Sequence, residues 1–227
     1  MHSPISTTRE LNPFYYTLCK NQNHNTLILK QKITLTMTST PDYLSSFQYH
    51  CLSSEESSNE LIPHIIKLGK LIHQQWNDFI KECIIALSYG KRLVINSENS
   101  TLNDLKKEDI IEIIDVNPAN NQVLYFGSAI PAKYTPLLHM IHYARNDIQV
   151  QLMITLKNDG AKHFRMFPVS LIDKEKTFMD LIKSVLTSLQ TQDNVIIDEK
   201  NLIMTSPTIQ KIETSIKKVG ETNENTG

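Results

Sequence analysis

One stretch of eight residues limits the architecture more than any other. From Gln149 to Leu156 the chain alternates with period two. Val150, Leu152, Ile154 and Leu156 fall on one side of an extended strand, and Gln149, Gln151, Met153 and Thr155 on the other. Just before it, Thr135 and Pro136 supply an N-cap and a first-turn proline for a helix that ends near Arg145. A helix leading into an alternating strand is the unit of an α/β layer fold.

The rest of the chain follows the same grammar. Ser57 and Glu60 stand at capping-box spacing, so a helix is expected from there to about Ile80, its apolar stripe formed by Leu61, Ile65, Leu68 and Ile72 and widened by Ile66 and Trp76. Pro63 fits best in a first turn, which moves the start a few residues later than Ser57. Strands are expected over 83–87, 92–95, 111–116, 122–126, 195–197 and 202–205, with Gly90 and the run Asn117-Pro-Ala-Asn-Asn as turns. Residues 174–189 and 208–218 read as helices. The serine-rich stretch 45–58 reads as linker. Residues 1–36 carry a single acid, Glu10, against four basic residues, and Pro4 and Pro13 interrupt them. They read as a disordered leader, with an organelle transit segment as the alternative. The expected organisation is a leader and linker over 1–58, one domain over 59–218, and a disordered polar tail over 219–227.

Composition bounds the function. The 227 residues suffice for one domain. A net charge of −1 produces no field that would draw nucleic acid or an anionic membrane. No apolar run approaches the roughly 18 residues that span a bilayer. Cys19, Cys51 and Cys83 are odd in number and widely spaced, which fits neither a disulfide framework nor a zinc ribbon. A reducing compartment, hence the cytoplasm, is the expected location.

The stretch Pro131 to Leu156, PAKYTPLLHMIHYARNDIQVQLMITL, resembles the core signature of the class II aldolase/adducin family, P-S-S-E-x-P-x-H-x-x-I-Y-x-x-R-P-D-V-x-A-V-V-H-T-H. Pro131, Pro136, Ile141, Arg145 and Asp147 match it. A second match, Val195-Ile-Ile-Asp-Glu-Lys-Asn-Leu-Ile-Met-Thr-Ser-Pro-Thr, resembles the family's x-V-L-L-x-x-H-G-V-V-V-x-G-x-T. The resemblance covers about residues 59–218. It implies a single α/β domain with a mixed, largely antiparallel central sheet and helices on both faces. It also implies, for the family's enzymes, a divalent metal on three histidines that polarises a carbonyl while a carboxylate moves the proton.

The residues that would do this chemistry are absent. The family's acid falls on Tyr134, and its metal-binding histidines fall on Met153, Thr155 and Lys200. A thioether is a poor zinc ligand, a neutral hydroxyl a weak one, and a protonated lysine repels the ion. The family's Gly-Asn pair and T-P-S-G turn, which hold a sugar phosphate, align with Glu82-Cys83 and with Asn96-Ser97-Glu98-Asn99, where carboxylates would repel the phosphate.

The resulting expectation is a non-catalytic protein with no metal, catalytic residue or cofactor, acting through a protein partner or as a subunit of a homo-oligomer. Adducin's head domain uses this scaffold without aldolase chemistry, and family enzymes are commonly tetramers. The alternatives are a divergent sugar-phosphate aldolase or epimerase with a relocated metal site using His139, His142 or His163, and a small-molecule sensor that keeps a pocket. His139 and His142, at i and i+3 on a helix, read as surface or interface histidines, and Tyr134 as a ring that fills the former pocket.

Overall fold

The alternating stretch lies near the middle of a nine-stranded sheet. The computed structural model describes residues 43–157, 160–164, 167–172, 175, 177–198 and 200–224; the expected leader over 1–36 lies outside them. The strands are β1 (Gln48–Ser53), β2 (Ile80–Tyr89), β3 (Arg92–Asn96), β4 (Ile110–Asn117), β5 (Gln122–Phe126), β6 (Val150–Leu156), β7 (Ser170–Ile172), β8 (Asn194–Ile197) and β9 (Asn201–Ser206). Their order across the sheet is β1-β5-β4-β3-β2-β6-β9-β8-β7. Among the described residues only the two outermost pairs, β1 with β5 and β7 with β8, are parallel. The expectation of a mixed, largely antiparallel sheet therefore holds. The helices are α1 (Ile62–Trp76), α2 (Thr135–Ala144), α3 (Phe178–Ser188) and α4 (Ile209–Glu224).

Two apolar clusters divide the helices between the faces. One joins α1 and α4 to the sheet through Ile65, Leu68, Ile72, Trp76, Ile212 and Ile216. The other joins α2 and α3 through Leu137, Leu138, Ile141, Leu181, Ile182 and Val185. The period-two reading of β6 is reproduced: Val150, Leu152, Ile154 and Leu156 enter the α1/α4 layer, and Met153 the α2/α3 layer. Trp76, fully buried, donates from Nε1 to the Ile216 carbonyl at 3.0 Å and so pins α1 to α4.

Several local expectations are corrected. Gln48–Ser53 is a strand rather than linker, held by parallel pairing to β5 and anchored by buried Phe47. The Ser57–Glu60 capping box does not form. Ser57 is buried and its hydroxyl bonds the Glu112 carboxylate, while α1 begins at Ile62 with Pro63 in its first turn. Thr135 is the first residue of α2 rather than its cap, and its hydroxyl is buried. Helix α4 continues past residue 218, where Val219 is still core. Helix α3 starts later than expected, at Phe178, with Thr177 capping the Asp180 amide at 3.1 Å.

The scaffold letters of the signature have visible structural work. Arg145 Nε and Nη2 fork onto Asp147 at 2.8 and 2.7 Å, and Nη1 donates to the Leu189 carbonyl at the end of α3. This pair fixes the turn from α2 into β6 and ties it to the neighbouring helix.

Candidate functional site

Helix α2 carries Tyr134 at its N-cap, half-buried against the apolar cluster that contains Met153. Met153 is 1% exposed, paired across β2 with Ile84 and across β9 with Ile203. All three belong to the α2/α3 core. Two residues along β6 on the same face, Thr155 is half-buried and its hydroxyl donates to Asn201 Oδ1 at 3.1 Å. Lys200 lies exposed in the β8–β9 turn, where its carbonyl accepts from the Leu156 amide at 2.8 Å. So one of the positions that the resemblance gives to metal ligands is sealed in apolar packing, one is engaged by an amide, and one faces solvent as lysine.

The alternative histidines do not converge. His139 and His142 project from α2, with ring centroids 6.2 Å apart. His163 stacks on Phe79, a residue of the opposite layer, at 4.6 Å. Among the described residues no group of three His, Cys, Asp or Glu side chains is placed to hold a metal ion.

The sequence pattern puts His139 and His142 at a surface or interface, and the structure corrects this. Both are buried, because α2 is covered by the sheet on one side and by α3 on another. His142 Nδ1 lies 3.0 Å from Ser88 Oγ, which donates its one hydroxyl hydrogen to the Ile148 carbonyl at 2.9 Å. Neither ring nitrogen of His139 has a hydrogen-bond partner among the described residues. Burial, helped by His142, lowers its pKa to about 4, against a smaller opposing pull from Asp115. His142 is lowered too, by burial, with a backbone contact at Gly90 opposing.

Among the described residues lies a cavity of about 500 Å³ between the C-terminal end of α1, the start of β2 and the loop after β3. The two segments that the resemblance aligned with phosphate-holding turns come together here: Glu82 and Cys83 from β2, and Glu98 and Asn99 from the loop. Sequence reasoning missed its other polar walls, His73 and Asn77 from α1 and Ser100 and Thr101 from the loop, since nothing in their local pattern distinguishes them from solvated residues.

Local structure holds these walls in place. Asn96, 2% exposed, accepts from the Ile85 amide at 2.6 Å and donates to the Cys83 carbonyl and to Ser100 Oγ at 3.3 and 2.9 Å. The loop backbone is tied down by Ser97 N to the Asp109 carbonyl and Glu98 N to the Ile130 carbonyl, at 2.7 and 3.2 Å. A bulge between Ile80 and Glu82 interrupts pairing with β6 and redirects the strand at the cavity wall. Gly69 lets α1 approach that loop: a Cβ there would stand 2.9 Å from the Leu102 carbonyl. Glu82 pairs directly with Thr155, so the cavity adjoins the positions of the metal signature. Desolvation and the Glu98 carboxylate raise the Glu82 pKa, against a lesser pull from Lys81. Burial pushes the Cys83 thiol pKa upward, which leaves it a neutral wall atom and no nucleophile.

No protein-family model matches the sequence, and no curated protein matches it. Solved structures do match the fold. YgbL from Klebsiella pneumoniae superposes with a TM-score of 0.55 over 72% of this chain and 86% of its own, at 7% identity. An aldolase II superfamily protein from Pseudomonas syringae gives 0.51 over 75% and 78%, at 14% identity. The L-fuculose-1-phosphate aldolase from Thermus thermophilus gives 0.51 over 71% and 89%, at 12% identity. The chain has the class II aldolase fold. At these identities the likeness speaks for the fold alone. Among the described residues no helix is long and apolar enough to cross a membrane.

Proposed function

We propose that this protein is a non-catalytic user of the class II aldolase fold, acting as a subunit of a homo-oligomer or through a protein partner. The observation that carries this reading is Met153. A metal ligand must reach an ion at the surface of a cleft, whereas the side chain at this position is enclosed by Ile84, Ile203 and the underside of α2 and α3. Tyr134, in the place of the family acid, adds its ring to the same packing.

The direct test is metal content and rescue. Protein purified without added metal is expected to carry far less than one zinc per chain by elemental analysis. A Met153→His, Thr155→His, Lys200→His triple variant is expected to remain without retro-aldol activity on a ketose 1-phosphate. It places three imidazoles but not the partners that orient them, typically worth about 10–100-fold each, and it leaves a phenol where a carboxylate should be. Stoichiometric zinc in the parent, or turnover in the triple variant, would refute the reading.

Self-association is supported by the edge of the sheet. Leu171 on β7 is 74% exposed and Met179 in the first turn of α3 is 55% exposed, and α3 packs on β7. Large apolar side chains at an open strand edge favour burial against another chain. Light scattering at fixed concentration should give a mass above the 26.0 kDa of one chain. A Leu171→Glu, Met179→Glu double variant should shift it toward the monomer. An unchanged mass in the variant would remove this edge as the contact.

A further inference from the structure

We infer that α2 and α3 form a cover that opens from the sheet as one unit while α1 and α4 stay closed on the opposite face. The first support is where polar groups go unpaired. Among the described residues, five buried side-chain atoms have no hydrogen-bond partner: Thr135 Oγ1, both ring nitrogens of His139, and Oε1 and Nε2 of Gln151. All five belong to the α2/α3 layer. Thr135 and His139 stand on α2 one turn apart, and Gln151 shares the inner face of β6 with Met153. On the α1/α4 face the corresponding groups are paired. Trp76 donates to the Ile216 carbonyl at 3.0 Å. Asn96 and Glu112, which share that face with Val94, bond to the Ile85 amide and Ser100 and to Ser57 respectively. An unpaired buried polar atom has given up water and gained nothing in return. Opening the α2/α3 layer returns water to all five atoms at once, whereas opening the other layer breaks bonds already made.

The second support is attachment. Arg145, at the end of α2, donates to the Leu189 carbonyl at the end of α3, so the two helices are tied to each other. Helix α3 rests on β7, a strand of three residues at the end of the sheet. Helices α2 and α3 span 10 and 11 residues, against 15 and 16 for α1 and α4. Short helices owe their stability to packing, and α1 and α4 pack on each other more extensively than α2 and α3 do. Layers of unequal local stability open separately. The opening bares the inner face of β6, with Gln151 and Met153.

Native-state amide hydrogen exchange, followed by mass spectrometry on the full chain at pH 7.5, is the test. After correction for intrinsic rates, α2 and α3 are expected to exchange together and at least tenfold faster than α1 and α4. Trp76→Phe removes a hydrogen bond that the open state keeps. It should speed exchange in α1 and α4 tenfold or more and leave α2 and α3 unchanged. His139→Leu combined with Gln151→Met replaces unpaired polar atoms with apolar ones, and should slow exchange in α2 and α3 tenfold or more. Equal protection of the two layers in the parent, or equal acceleration of both by Trp76→Phe, would show that α2 and α3 open only with the whole molecule and would overturn the proposal. Unchanged exchange in the folded double variant would overturn it too, by showing that the polar atoms impose no cost. The parent profile needs no substitution, so a variant that fails to fold does not shield the proposal. None of these readouts bears on zinc content or turnover, so the opening and the absence of catalysis stand or fall separately.

Discussion

Met153→Ala is expected to destabilise the protein by about 2–5 kcal/mol, the range for truncating a large buried side chain. The reason is geometric. The thioether chain stands between two isoleucines on the inner face of β6, 1% exposed, and the layer above it is closed by α2 and α3. Removing it leaves a cavity that a sheet paired on both sides cannot collapse to fill. Tyr134→Ala, by contrast, trims a ring that is only half-buried at the start of α2, and a smaller loss of about 1–2 kcal/mol is expected. Urea denaturation of both variants, repeated at several protein concentrations to control for dissociation, measures the two losses. A Met153→Ala loss below about 1 kcal/mol would mean that this side chain faces an accommodating cleft, and it would reopen the enzyme reading.

That contrast shows which parts of the site were legible in the sequence. The face that Met153 takes follows from period-two alternation, since Gln149 to Leu156 keeps strict order and a strand has only two faces, but that this side, shared with Gln149, Gln151 and Thr155, is buried does not. The depth of its burial does not follow, because it depends on Ile84 and Ile203, which are far away in sequence and meet it only through the order β2-β6-β9. Strand β1 was hidden for a different reason. Its residues Gln48-Tyr-His-Cys-Leu-Ser are mostly exposed and polar, and an edge strand is specified by backbone pairing rather than by an apolar face. The three residues of β7 are too few to show a period. The cavity has no local signature at all: Glu82 and Glu98 were placed near one another only by the resemblance, and His73 arrives from a helix whose pattern describes its other, buried side. Helix α2 misled most. Polar residues three apart normally mark a solvated face, but here the helix is covered on more than one side, and its exposed face is marked by an aromatic residue, Tyr143 at 77% exposure.

The buried histidines of α2 lead to the other large expected effect, a loss of stability in mild acid. His139 titrates near the ordinary 6.5 in the unfolded chain and at about 4 in the folded one. Between those values the unfolded state binds the proton and the folded state resists it, so stability rises with pH. The contribution is fully present above pH 6.5 and is lost as pH falls toward 4. At about 1.36 kcal/mol per pKa unit, the gap amounts to roughly 3 kcal/mol. Burial is the main cause, since the imidazolium would have to be desolvated with no partner for either nitrogen. Nearby His142, lowered in the same direction, adds to the effect, and Asp115 opposes it. Carboxylates held low by cations, such as Asp147 beside Arg145, also lose stability on acidification, but at lower pH and in any variant. A His139→Leu variant therefore isolates the histidine. It keeps the site apolar and filled, and it removes two unpartnered polar atoms, so at pH 7.5 it should be as stable as the parent or more so. Urea unfolding at pH 7.5 and pH 4.5 should show the parent losing about 2–3 kcal/mol more than the variant between the two. Parallel losses in the two proteins would mean that α2 keeps a water path to this imidazole and that its burial imposes no electrostatic cost.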